Sequence, residues 1–212
     1  MIIATCLFGD SPLVTKLFDN WWASIQKIGR ERDALVLSDA ARSWIQVPQL
    51  VVQPVNVTVN LKQLTGNGAV PTTRKGLIIA SAMRYLRPPF LFTDLDCEFL
   101  SDPTEKLAGM CGLGMAGTNE SDAVDLKNSG VIHFGLGCNP MQLASQFISH
   151  FMAIQLMNSA DPLKEQKAWQ RVFARAEESH DLPPTMNWMP AHWGPNKDAI
   201  INHWAGRAKT YV

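Results

Sequence analysis

Residues 2 to 38 set out a strand, a capped helix and a second strand in immediate succession, and this succession limits the fold more than any other feature. IIATCLF (residues 2–8) is an apolar strand. In the following segment Ser11 is placed to cap a helix whose first position is Pro12, and Gly29 is placed to end it. Val14, Leu17, Phe18, Trp21, Ile25 and Ile28 recur at helical spacing on one face. ALVL (34–37) is a second strand closed by Ser38-Asp39, and QLVV (49–52) a third between prolines. TTRKGLIIASAMRYL (72–86) reads as a helix stopped by Pro88-Pro89, followed by a strand in FLFTDLDCEFL (90–100). Further strands are expected near 112–117 and 131–135. Asn139-Pro140 and Asp161-Pro162 each open a helix, and the tail from Asp181 reads as loops with a short strand or turn. Such alternation predicts an α/β domain with a mostly parallel central sheet and helices on both faces.

The chain has 212 residues, 46% hydrophobic and 18% charged, which suits one folded domain with a real core. Nineteen Lys+Arg balance nineteen Asp+Glu, so no electrostatic footprint for nucleic acid is present. No segment is long and apolar enough for a transmembrane span, and MIIATCLFGDSP lacks the basic start of a signal peptide. Cys6, Cys97, Cys111 and Cys138 form no C-x-x-C pair, which argues against a zinc site built on them. They read as reduced thiols of a cytoplasmic protein.

Asp94 and Asp96 are set one residue apart behind Phe90-Leu91-Phe92. In α/β sheets, ligands bind beyond the carboxyl ends of the strands, where this pair stands. If the segment stays extended, the two side chains point the same way. Carboxylates aimed at one point repel unless a cation lies between them, and oxygen ligands suit Mg²⁺ or Mn²⁺. The residues alone equally allow one aspartate to cap a turn while the other is solvated. At the far end, AIINHWAGRAKTYV spaces His203, Gly206 and Lys209 as H-x-x-G-x-x-K. Imidazole is a good third ligand for Mn²⁺, glycine lets backbone approach a phosphate, and lysine neutralises diphosphate. A packed loop histidine and a solvated lysine are the plainer alternative.

Taken in order along the chain, these motifs resemble the nucleotide-sugar-dependent glycosyltransferases of GT-A fold, especially the retaining group that includes glycogenin. Asp94-Leu95-Asp96 matches that group's D-x-D, and Asn128-Ser129-Gly130 its Asn-Ser-Gly, placed just before the strand VIHF. Glu165-Gln166 stands where the group has Asp-Gln, and His203, Gly206 and Lys209 match its terminal motif. Two departures are Glu165 for aspartate and Thr210-Tyr211 where Pro-Trp is usual.

The resemblance implies one GT-A-like domain over residues 1–212. Residues 1–100 would form a nucleotide-binding half ending in D-x-D, and 101–212 an acceptor-side half with a C-terminal metal and phosphate segment. It implies a metal-dependent glycosyltransferase acting with retention, moving a sugar from a nucleotide diphosphate sugar, a UDP-sugar, to a carbohydrate or other hydroxyl acceptor. Mn²⁺ or Mg²⁺ would be held by Asp94, Asp96 and His203, with Asp94 also reaching ribose. Gly206 and Lys209 would meet the diphosphate. Leu7, Phe8 and Gly9 would cradle the base, Leu95 would line the donor site, and Asp39 would meet base or ribose unless it is a cap. Lys75 or Arg74 would face donor sugar or phosphate, against the alternative of a solvated charge at a helix start.

Asn128 would bond a sugar hydroxyl, although Asn-Ser-Gly is also ordinary turn chemistry. Glu165 shares a helical stripe with Trp169, Val172, Phe173 and Ala176, so it is directed inward and needs a partner. An acid favoured by the helix dipole is the competing account. Glu165 and Gln166 join Asn128 as candidate catalytic residues. Trp188, Trp193 and Trp204 cluster with His192 in the tail, where they suit core or lid packing as well as a sugar face.

Two rivals remain. One is a GT-A-like domain that binds a nucleotide sugar or glycan without turning it over. DLDCEFL also resembles the D-x-D-G-T-L of haloacid dehalogenase-like phosphatases, but Cys97 and Glu98 replace the Gly and Thr, and no later lysine and paired-aspartate set completes it.

Overall fold

The computed structural model describes residues 1–7, 11–38, 42–45, 47, 50–52, 79, 80, 83, 86–117, 127–158, 161 and 163–204. The strands are β1 (Ile2–Leu7), β2 (Ala34–Ser38), β3 (Leu50–Val52), β4 (Phe90–Thr93), β5 (Cys97–Phe99), β6 (Leu113–Gly117), β7 (Lys127–Phe134), β8 (Ser179–Leu182) and β9 (Ile201–His203). The α-helices are α1 (Pro12–Lys27), α2 (Thr104–Leu107), α3 (Pro140–Met157), α4 (Lys164–Phe173) and α5 (Pro190–Trp193). Short 3-10 turns cover Glu31–Asp33 and Pro184–Asn187.

Seven strands form one sheet in the order β3-β2-β1-β4-β7-β6-β8. The first four are parallel to one another. β7 then runs antiparallel to both β4 and β6, and β8 is parallel to β6. The expected α/β architecture with a mostly parallel sheet is therefore present, with β7 as its antiparallel strand and its parallel block built from the β-α-β succession at the start of the chain.

Period-two alternation divides the core between the two faces. On one face Ala4, Cys6, Leu35, Leu37, Phe90, Phe92, Ile132 and Phe134 pack beneath Phe147 and Phe151 of α3 and Trp169 and Val172 of α4. On the other, Ile3, Leu7, Val36, Leu91 and Val131 pack against Phe18, Trp21 and Ile25 of α1. Helix α1 starts as the sequence indicates, with the Ser11 hydroxyl accepting from the Val14 N–H at 3.3 Å. Gly29 follows it with φ of +70°, a conformation that glycine adopts without penalty. Asn139 caps α3 in the same manner, its Oδ1 accepting from Gln142 N–H at 3.2 Å.

Two sequence expectations need correction. β7 begins at Lys127 rather than near 131, so Asn128-Ser129-Gly130 lies inside a strand and is not a turn. Asp94 and Asp96 are not on an extended strand, because β4 ends at Thr93 and the chain turns before β5. The tail carries the expected short strand as β9, the partner of β5 in a separate two-stranded sheet, while β8, which begins just before the tail, joins the main sheet. Of the helix expected over 72–86, residues 79 and 80 are helical and most of the rest lies outside the described residues.

A buried histidine pair gives this fold an acid sensitivity. His133 on β7 is fully buried, and its Nδ1 lies 3.2 Å from Nε2 of His180 on β8. Burial, reinforced by the neighbouring His180, pushes the His133 pKa down to about 4. Above the unfolded value of about 6.5 the ring is neutral in both states, and stability is unaffected. Between about 6.5 and about 4 the unfolded chain binds a proton that the folded chain refuses, so stability falls as pH falls. The expected loss is on the order of 3 kcal/mol across that window. Urea melts from pH 7 to 4.5 should show His133→Gln losing less stability than wild type, by close to one proton's worth of slope; coincident slopes would place the sensitivity elsewhere.

Candidate metal and donor site

The site forms where β4 ends. Thr93 is pinned there from two sides: the Trp21 indole N–H donates to its Oγ1 at 3.1 Å, and its carbonyl accepts from the Thr5 hydroxyl at 2.8 Å. The next residue, Asp94, donates its N–H to the Gly130 carbonyl at 2.7 Å, and its own carbonyl accepts from Cys97 N–H at 3.2 Å. This closes a tight turn over Asp94-Leu95-Asp96 and aims the two carboxylates together without an extended backbone. Leu95 instead packs against the α1-side core.

The third member arrives through the small sheet. β5 and β9 pair antiparallel with Cys97 directly opposite His203. The Trp204 N–H donates to the Asp96 carbonyl at 3.0 Å, tying the end of β9 to the turn. His203 Nε2 then lies 3.6 Å from Asp94 Oδ2 and 3.5 Å from Asp96 Oδ1. One ligand atom from each of the three residues falls within a span of 4.8 Å. The His203 side chain is 3% exposed, while those of Asp94 and Asp96 are 23% and 18% exposed. The imidazole is thus sealed in the protein, and the carboxylates open outward.

This donor set fits a hard divalent cation. Two carboxylate oxygens and one imidazole nitrogen converge, and the partly open side leaves room for water or phosphate oxygens. The other ring nitrogen is anchored as metal-bound histidines require, with Nδ1 2.9 Å from the Asn187 Oδ1. His203 also explains Gly130. A Cβ on that glycine would lie 2.0 Å from His203 Cε1 and 2.4 Å from Nδ1, so the ring rests where a side chain would otherwise be.

No family model matches the sequence, and no match exists among curated proteins. Solved structures do match. A galactosyltransferase, LgtC, in complex with donor and acceptor sugar analogues, superposes with a TM-score of 0.68 at 11% identity, over 97% of this chain and 87% of the other. Mouse xyloside xylosyltransferase 1, in its apo form, gives 0.59 at 13% identity, over 98% of both chains. The apo glycosyltransferase GlyE of Streptococcus pneumoniae TIGR4 gives 0.59 at 12% identity, over 96% of this chain and 54% of that one. This chain has the GT-A glycosyltransferase fold.

Within the GT-A frame, the sequence-expected site residues separate by where they lie. Asp94, Asp96 and His203 meet directly. Asn128, Glu165 and Gln166 form an adjoining cluster where β7 meets α4. The Ser129 hydroxyl donates to Glu165 Oε2 at 2.9 Å, and Asn128 Nδ2 donates to Gln166 Oε1 at 3.2 Å. Glu165 is 3% exposed, as the inward stripe on its helix required. The Leu7 side chain is fully buried in the core, which leaves only its backbone for a ligand. Phe8, Gly9, Asp39, Arg74, Lys75, Gly206 and Lys209 lie outside the described residues.

Sequence reasoning missed Asn187 altogether. It sits in a Pro-rich tail where asparagine reads as turn chemistry, yet it is fully buried and touches both His203 and Asn128. A cavity of about 500 Å³ lies elsewhere, at the end of the sheet where β4 begins, lined by Leu113, Cys138, Gln142, Gln146 and Glu178 among others. It contains neither D-x-D residue nor His203. Among the described residues, no helix is long and apolar enough to cross a membrane.

Proposed function

We propose that this protein is a metal-dependent glycosyltransferase that moves a sugar from a UDP-sugar to a carbohydrate or other hydroxyl acceptor, with retention at the anomeric carbon. The observation that carries the reading is the convergence of Asp94, Asp96 and His203 at the carboxyl end of the parallel strands of a GT-A fold. A fold relative held with donor and acceptor sugar analogues supports the substrate class. The four cysteines form no C-x-x-C pair and suit reduced thiols in a cytoplasmic setting.

Asp94, Asp96 and His203 would hold Mn²⁺ or Mg²⁺. When bound, the cation supplies positive charge to the diphosphate as the anomeric C–O bond breaks. Lys209 adds charge there, and Gly206 allows backbone to approach the phosphates. Leu7 and Leu95 through their backbones, with Phe8, Gly9 and Asp39, would form the nucleotide side, and Lys75 or Arg74 would meet the sugar or phosphate. Asn128, Glu165 and Gln166 orient the sugar. Glu165 is held by Ser129, the residue after Asn128, so the acid and the carboxamides are tied to neighbouring positions of β7 and α4.

A thermal-shift screen of nucleotide sugars, with and without Mn²⁺, tests this. A ligand at about 100 times its Kd stabilises the folded state by about 2.7 kcal/mol, or roughly 5–10 °C in a chain of this size. The expected result is a raised midpoint for UDP-sugars that needs Mn²⁺. No response to any nucleotide diphosphate would overturn the reading.

A further inference from the structure

Four side chains run from the cation cluster to the sugar-side cluster in an unbroken hydrogen-bonded line. His203 Nδ1 meets Asn187 Oδ1 at 2.9 Å. Asn187 Nδ2 meets Asn128 Oδ1 at 3.1 Å. Asn128 Nδ2 meets Gln166 Oε1 at 3.2 Å. The direction of the line is set by one backbone group. Gly130 N–H can only donate, and it donates to Asn128 Oδ1 at 2.7 Å. That atom must therefore be the amide oxygen, and the group Asn187 turns toward it must be its NH₂. The Asn187 oxygen then faces His203, so Nδ1 carries the proton and Nε2 keeps its lone pair toward Asp94 and Asp96. At the other end, the Asn128 NH₂ engages the Gln166 oxygen. The Gln166 oxygen keeps one further acceptor site, and its NH₂ is what it can donate to an incoming group.

From this geometry we propose that Asn187 is a positioning residue: it fixes the cation-binding tautomer of His203 and, through Asn128, turns Gln166 to present a hydrogen-bond donor. The inference rests on the glycosyltransferase reading for the role of Gln166, but not for that of His203. The burial of Asn187 makes the line rigid, since no water can replace either partner. Its backbone placement serves the same end. Asn187 closes the 3-10 turn Pro184–Asn187, and the next residue, Trp188, accepts the His203 N–H at 2.6 Å. The ring and its anchor are thereby held to one another by both backbone and side chain. A donating Gln166 suits a sugar hydroxyl or a departing oxygen.

The test combines one spectrum with two substitutions. Long-range ¹⁵N–¹H spectra of the metal-free wild type should show a proton on His203 Nδ1; a bare Nδ1, with the only ring proton on Nε2, would overturn the proposal outright. Asn187→Leu removes the acceptor, and Mn²⁺ affinity measured by titration calorimetry should fall 10- to 100-fold. Asn187→Asp keeps an oxygen toward Nδ1 but sets oxygen against the Asn128 oxygen. Mn²⁺ affinity should stay equal or tighten, while kcat falls with KM for the donor nearly unchanged. If both variants bind Mn²⁺ as the wild type does and differ only in melting temperature, Asn187 is a packing residue and the proposal is wrong. If Asn187→Leu does not fold, the spectrum and Asn187→Asp still decide. A wild type that shows the tautomer and the affinity pattern but releases no UDP would leave the positioning of His203 intact and remove the transfer reading.

Discussion

Asp96→Ala is expected to abolish cation-dependent release of UDP from a UDP-sugar, by at least about 10²–10³-fold, without unfolding the protein. The two halves of this expectation come from different atoms of one residue. The Asp96 carboxylate faces His203 Nε2 at 3.5 Å and belongs to the converging donor set. Its carbonyl, which survives the substitution, accepts from Trp204 N–H and holds the turn to β9. The metal-free variant should melt at the wild-type temperature or slightly above it, because one of two carboxylates aimed at a common point is gone. The stabilisation by Mn²⁺ should vanish together with UDP release. Assays of UDP release and melts with and without Mn²⁺ read both. The same assays separate the rivals. A domain that binds without turnover would show the Mn²⁺-dependent shift in the wild type but no UDP. A phosphatase would yield free phosphate from a phosphomonoester. Release of UDP that survives in Asp96→Ala would remove the proposed cation from the chemistry.

Much of this fold could be read from local chemistry, and the reason is physical. Ser11-Pro12, Gly29 and Asn139-Pro140 act on their own neighbours, so the boundaries they mark in the sequence are those found in the structure. Fully buried parallel strands are continuous apolar runs, and IIATCL, ALVL and FLF stand out for that reason. Long-range pairing leaves no such mark. Neither β8, with its sequence SHDL, nor β9, with INH, carries an apolar run of its own. Each is a strand because another strand is waiting for it, β6 in one case and β5 in the other.

The candidate site divides in the same way. Asp94, Asp96 and His203 were legible because a cation needs particular residue types, and chemistry of that kind survives in the sequence whatever the backbone does between them. The backbone itself was misread, since an extended segment and a tight turn can both bring residues two apart to one point. Asn187 and Gly130 were illegible for the opposite reason. Their roles are set wholly by what lies against them, and a glycine that makes room for a ring 73 positions away looks like any turn glycine.

That last contact yields the sharpest structural prediction. Gly130→Ala places a methyl group 2.0 Å from Cε1 and 2.7 Å from Nε2 of His203. Neither side can give way cheaply. Gly130 is in the middle of β7, with its N–H bonded to Asn128 and its carbonyl bonded to Asp94. His203 is 3% exposed and anchored through Nδ1 to Asn187. Overpacking at such a position costs about 1–3 kcal/mol or more, roughly 3–10 °C in melting temperature for a chain of this length. The displaced ring should also lose its alignment with Asp94 and Asp96, so Mn²⁺ affinity falls along with stability. Gly117→Ala is the internal control. It lies on the neighbouring strand β6, where an added Cβ meets nothing within 4 Å. Its backbone is not in the left-handed region, so removing glycine's flexibility there should leave stability unchanged or raise it slightly. Melts and Mn²⁺ titrations of the two variants side by side therefore have opposite expected signs for stability, and only Gly130→Ala should touch the cation. Equal melting temperatures for the two would mean that the His203 ring does not lie on Gly130, and the geometry proposed for the cation site would fall with it.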